Sequence, residues 1–139
     1  MAISVIGNAL ARDDLATWQK LNVTAFLISG ITAANSDLIG EEYVDKAGNL
    51  HLPMSRQPMI VLTGADNILR NARNRANHRG IPTVAYIQEM FSTGHDEANR
   101  AVFSEHMPNE DNTVGIALLA DKKTVDKIQR VQKCILEKA

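Results

Sequence analysis

Polar functional groups crowd around one glycine in Ser92-Thr93-Gly94-His95-Asp96-Glu97-Ala98-Asn99-Arg100, between two apolar segments. His95 and Asp96 are the candidate proton acceptors of this run, and Arg100 can hold an anionic group. A helix starting just after Gly94 would aim free N–H groups and a partial positive charge at whatever sits there, forming an oxyanion or phosphate cradle. Lys20, far upstream, is a second candidate for the anion-holding role. The same residues also allow a plainer account. Asp96 and Arg100 are four apart on the expected helix and suit an exposed ion pair, while His95 and Asn99 share a neighbouring face.

The elements that must position this run read as alternating strands and helices. Residues 82–88 form a buried strand before it, and a helix through Phe103 follows; Gly94, at the junction, is expected to turn with positive φ. Upstream, residues 2–10 are apolar and β-branched, and an aspartate of Arg12-Asp13-Asp14 can cap a long helix. Leu15, Trp18, Leu21, Ala25, Ile28 and Ile31 recur there at helical spacing, Gly30 ends or bends the helix, and Lys20 or Asn22 faces a site or solvent. Between Gly40 and Pro53 two short alternating runs flank a Gly-Asn turn, suggesting a small hairpin or ordered loop. Residues 58–64 are a continuous apolar strand. Asp66 is expected to cap a helix from Asn67 to about Arg79, stopped by Gly80 and Pro82, with Ile68, Leu69, Ala72 and Ala76 on one face. The strand at 113–120 and a last helix capped by Asp121 complete the chain, with Val125, Ile128, Val131 and Ile135 as the buried stripe of that helix and Lys122, Lys123, Lys127, Arg130 and Lys133 as its wet one. The pattern predicts a single α/β domain over residues 1–139, a three-layer α/β/α sandwich.

Composition narrows the function. The 139 residues carry a formal net charge of −1 and only 4% aromatics, a poor basis for holding a polyanion or stacking single-stranded bases. Arg70, Arg73, Arg75 and Arg79 are the one basic concentration, yet they scatter on both sides of their helix's apolar face. His51, His78, His95 and His106 lack zinc-ligand spacing, so no metal is expected, and no familiar cofactor motif is present. The single cysteine, Cys134, excludes an internal disulfide and falls in an apolar helical pattern. No run approaches a membrane span, and Ala2–Ala11 lacks the basic n-region of a signal peptide. Those features predict a cytoplasmic protein with no membrane partner.

Several runs carry a family resemblance: Arg12-Asp13-Asp14-Leu15 with Trp18-Gln19-Lys20-Leu21-Asn22, Gly40-Glu41-Glu42-Tyr43-Val44-Asp45, Gln57-Pro58, Thr93-Gly94-His95-Asp96-Glu97-Ala98-Asn99-Arg100 and Val125-Asp126-Lys127. In this order they resemble the family labelled domain of unknown function 2000, across essentially the whole chain. That family is similar in turn to the type II peptidyl-tRNA hydrolases, which implies a mixed four-stranded sheet between helix layers with one strand antiparallel, and the first strand beside the one ending near Ile87. In those hydrolases a lysine near the start of the first helix, and an aspartate and a threonine around an Asp-Ala-Gly-His-Thr run, are implicated in cleaving the ester between peptide and tRNA. Lys20 matches the lysine with a one-residue shift, and Gly94 and His95 match directly. The aspartate position falls on Ser92, the threonine position on Asp96, and Thr113 aligns with a threonine of the last strand.

Two readings follow from the residues and this resemblance. In one, Lys20, His95 and Asp96 are catalytic in a hydrolase of an ester or amide on an RNA or nucleotide-like group, Asp96 replacing the acid missing at Ser92, with peptidyl-tRNA turnover weak or absent. In the other, Asn22, Gly94, Asn99, Arg100 and Thr113 belong to an inherited cleft that binds a small anion or a protein, without catalysis and with no cofactor. A homodimer is compatible with either.

Overall fold

A computed structural model describes residues 5–108, 110, 112–128 and 133–134. Strand β1 spans Val5–Arg12, followed by helix α1 at Thr17–Ala34. A hairpin of β2 (Tyr43–Val44) and β3 (Leu50–His51) precedes β4 (Met59–Gly64) and α2 (Asp66–His78). Then come β5 (Thr83–Ile87), a 3-10 turn at Gln88–Ser92, α3 (Asp96–Ser104), β6 (Thr113–Asp121), α4 (Lys122–Ile128) and the two-residue β7 (Lys133–Cys134).

The main sheet runs in the order β5-β6-β1-β4-β7. Its four long strands are mixed: β1 and β4 pair parallel, while β6 pairs antiparallel with both β1 and β5. The first strand therefore does not neighbour β5, because β6 is inserted between them. Two antiparallel steps leave β1 and β5 pointing the same way, so both still end at one sheet edge. Alternation along the strands separates two cores. Ala9, Ala117 and Val61 pack towards α1 with Val23, Leu27 and Ile31, whereas Leu10, Ile116, Leu118 and Leu62 pack towards α2 and α4 with Leu69, Ala72, Ala76, Val125 and Ile128. Helices thus cover both faces, as the apolar strands require.

Several sequence expectations need correction. Residues 2–4 of the expected first strand lie outside the described residues. In α1 the buried positions are Val23, Leu27 and Ile31, while Trp18, Leu21 and Ala25 are exposed. The helix is apolar on more than one side, so spacing alone could not select the face against the sheet. Gly30 neither ends nor bends the helix at its last turns; it lets α1 approach β5, since a Cβ there would stand 2.6 Å from Val84 Cγ2. No aspartate caps α1. Ala16 holds that position and its N–H donates to the Gln19 side chain at 3.0 Å, while Asp14 pairs with Arg12. Ala65, not Asp66, caps α2; Asp66 is its first residue and accepts from Arg70 at 2.9 Å. Asp121 does cap α4, accepting from the Thr124 N–H and hydroxyl, and its carboxyl is held below the ordinary value by those bonds. That helix closes at Ile128, and Lys133 and Cys134 form a strand beside β4 instead of a further helical turn. Arg130, Val131 and Ile135 lie outside the described residues.

Candidate functional site

Helix α1, β5 with its following 3-10 turn, and the start of α3 enclose one continuous groove. Its inner part, about 330 Å³, is lined by Trp18, Asn22, Phe26, Tyr86, Met90, Phe91 and the 93–96 turn with Asn99. An adjoining hollow of about 490 Å³ shares Phe26, Tyr86, Met90, Asp96 and Asn99 and extends past Val84, Ala85, Arg100 and Phe103. Both volumes fall in the range of small-molecule pockets.

The chain has three Phe, two Tyr and one Trp, and all but Tyr43 line this groove. Trp18 meets Phe91 edge-on at 5.7 Å, Phe91 meets Tyr86 at 5.2 Å, and Tyr86 meets Phe26 at 5.6 Å. Ring contacts of this kind give a rigid wall. Burial pushes the Tyr86 hydroxyl above its ordinary pKa, against the pull of its hydrogen bond with Asn22, so the group is a neutral phenol at physiological pH.

The Gly94 turn forms without positive φ, which occurs among the described residues only at Gly48 and Gly80. A short 3-10 turn brings the chain round after β5, and His95 adopts an extended conformation as the cap of α3. The His95 Nδ1 accepts the Ala98 N–H at 3.2 Å, which places the proton of the neutral ring on Nε2. Thr93 Oγ1 lies within hydrogen-bond reach of both the Met90 carbonyl, at 2.8 Å, and the Asn99 side chain. A hydroxyl has one proton, so the pair is satisfied when Thr93 donates to Met90 and the Asn99 amide nitrogen donates to Thr93. That arrangement leaves the Asn99 carbonyl as an acceptor.

The predicted site residues divide. Asn22, Gly94, His95, Asp96 and Asn99 line the inner groove, and Arg100 lines the outer hollow. Asp96 accepts from Arg100 Nε at 2.8 Å in a pair with both side chains about three-quarters exposed, and this carboxylate holds Arg100 more firmly charged. Lys20 lines neither part. At about 100° per residue it points roughly 200° from both Trp18 and Asn22, which face the groove. Thr113 is buried and accepts from Arg73 Nη1 at 3.0 Å, so it serves the packing between β6 and α2. Sequence reasoning missed the aromatic wall; the available signal was α1, whose apolar residues exceed what one buried face can hold. Among the described residues no three His, Cys, Asp or Glu side chains are grouped to hold a metal ion, and no helix is long and apolar enough to cross a membrane.

A family model described as a protein of unknown function, DUF2000, matches residues 8–134. The chain belongs to that family. This DUF2000 protein is also similar to a solved structure, a protein of unknown function from Agrobacterium tumefaciens strain C58, at 50% identity and TM-score 0.93, covering 96% of this chain and 98% of that one. None of the curated proteins matches it.

Proposed function

We propose that this DUF2000 protein is a binding module whose aromatic groove takes a small neutral ligand with a flat or apolar body and a hydrogen-bonding edge. The concentration of five of six aromatic residues on one groove carries this reading. The polar groups among them are neutral donors and acceptors: the Asn22 and Asn99 amides, the Tyr86 hydroxyl and His95. Asp96 and Glu97 occupy the first turn of α3 and offset its positive end, which disfavours the small anion that the turn would otherwise attract.

Trp18 is the only tryptophan, so its fluorescence reports directly on the groove. Titration with a panel of neutral heteroaromatic amides is expected to give saturable quenching that weakens about tenfold or more in Phe26→Ala and Asn99→Leu, the scale of one lost pocket contact. No saturable member, or binding indifferent to both substitutions, sinks the reading. The runner-up is hydrolysis of an ester or amide by Lys20, His95 and Asp96, favoured by the presence of His95 and Asp96 in one groove. A double-mutant cycle on Lys20→Met and Asp96→Asn separates the two. Additivity within about 0.5 kcal/mol is expected for a binding module, whereas larger coupling together with ester turnover lost in Lys20→Met selects the hydrolase.

A further inference from the structure

The β2–β3 hairpin is built inside out. Tyr43 pairs with His51 and Val44 with Leu50, so alternation puts Tyr43, Asp45, Asn49 and His51 on one face and Val44, Leu50 and Leu52 on the other. The first face is closed by Asp45, which accepts from Ala47 N–H, Asn49 N–H and Asn49 Nδ2 at 2.9–3.0 Å and meets His51 Nε2 at 3.2 Å. The apolar face looks outward: Val44 is 63% exposed, Leu50 66%, Leu52 83% and Met54 58%. The same periodicity continues down the chain, with Arg56, Pro58 and Ile60 exposed and Ser55, Gln57 and Met59 partly buried. The hairpin base is tied to the body, Gly40 N–H donating to the Met54 carbonyl at 3.0 Å and Arg56 N–H to the Leu38 carbonyl at 2.7 Å. A continuous apolar stripe on an ordered strand, facing water, marks an interaction surface.

We propose that this stripe is where a second copy of the chain docks, with the outer faces of the two hairpins apposed across a two-fold axis. Charge supports a self-complementary match. Glu42 and Lys46 stand two residues either side of Val44, so a two-fold apposition carries Glu42 of one copy to the partner's Lys46 at each end of the apolar contact. Size agrees as well: residues 41–60 provide 20 residues of chain, the lower end of the roughly 20–30 that a stable interface uses on each side. The stripe shares no residue with the aromatic groove, so docking and ligand binding are independent.

Sedimentation velocity of the full chain across a concentration series tests this. The wild type is expected to dimerise, and Leu50→Asp with Leu52→Asp is expected to sediment as a monomer with an unchanged circular-dichroism spectrum. Glu42→Lys and Lys46→Glu should each weaken the dimer by about tenfold, and the double charge exchange should recover most of that loss. A wild type monomeric throughout overturns the proposal. So does a dimer that survives the two leucine substitutions, or a charge exchange no better than either single variant.

Discussion

At the scale of single residues, the glycines show how differently one residue type is used. Gly115 lies on β6 directly under α1, where a Cβ would fall 2.3 Å from Val23 Cγ1 and 3.0 Å from Leu27 Cδ1. Val23 and Leu27 are fully buried and cannot move aside without displacing the helix. Gly115→Ala is therefore expected to cost about 1–3 kcal/mol by overpacking. Gly94, central to the polar run, has nothing within 4 Å of its would-be Cβ and no positive φ. Gly94→Ala should change stability by no more than about 0.5 kcal/mol. Chemical denaturation of both variants makes the comparison; equal losses would show that the close approach of α1 to β6 is wrong.

Among the elements, the hairpin depends most on a single charge. Asp45 has its carboxyl pulled down to about 2 from the ordinary 3.8, first by the Asn49 side chain, then by the Asn49 N–H and His51. A depressed pKa means that the ionised form binds the folded hairpin better than the unfolded one. Its contribution is present above about pH 3.8, and it is lost as pH falls through the folded value near 2. Amide resonances of Ala47 and Asn49, whose N–H groups donate to Asp45, should move together over that window, and Asp45→Asn should remove the transition. A hairpin whose amides stay unchanged down to pH 2 would contradict the assigned network. The same network explains why Gly-Asn at 48–49 was readable as a turn: Gly48 has φ of 89°, and Asp45 supplies the acceptor.

For the molecule as a whole, the question is what its charges are free to do. Three arginines of α2 have internal partners: Arg70 bonds Asp66, Arg73 bonds Thr113 and also lies over Phe103, and Arg75 donates to the Ile128 carbonyl. With those groups engaged and a net charge of −1, little remains to hold a polyanion. Purified protein is expected to show no turnover of peptidyl-tRNA above background. Robust cleavage that disappears in Lys20→Ala would reverse this expectation and restore the hydrolase reading.

Local patterns in the chain determined the strands at 59–64, 83–87 and 113–121, the helices of the α/β alternation, the 40–53 hairpin and the cap at Asp121. Each depends on backbone preference, side-chain period or a turn residue, all of which act within a few positions. The groove's polar turn was legible for the same reason, since Gly94, His95, Asp96 and Asn99 are close in sequence. Tertiary structure alone decided which face of α1 meets the sheet, because that helix is apolar on several sides and only the fit of Val23 and Leu27 over Gly115 selects one. It also decided the insertion of β6 between β5 and β1, and the ending of α4 before β7. The gathering of Trp18, Phe26, Tyr86, Phe91 and Phe103 belongs to the same class: those rings come from three separate segments, and no local pattern relates one to another until the sheet brings them together.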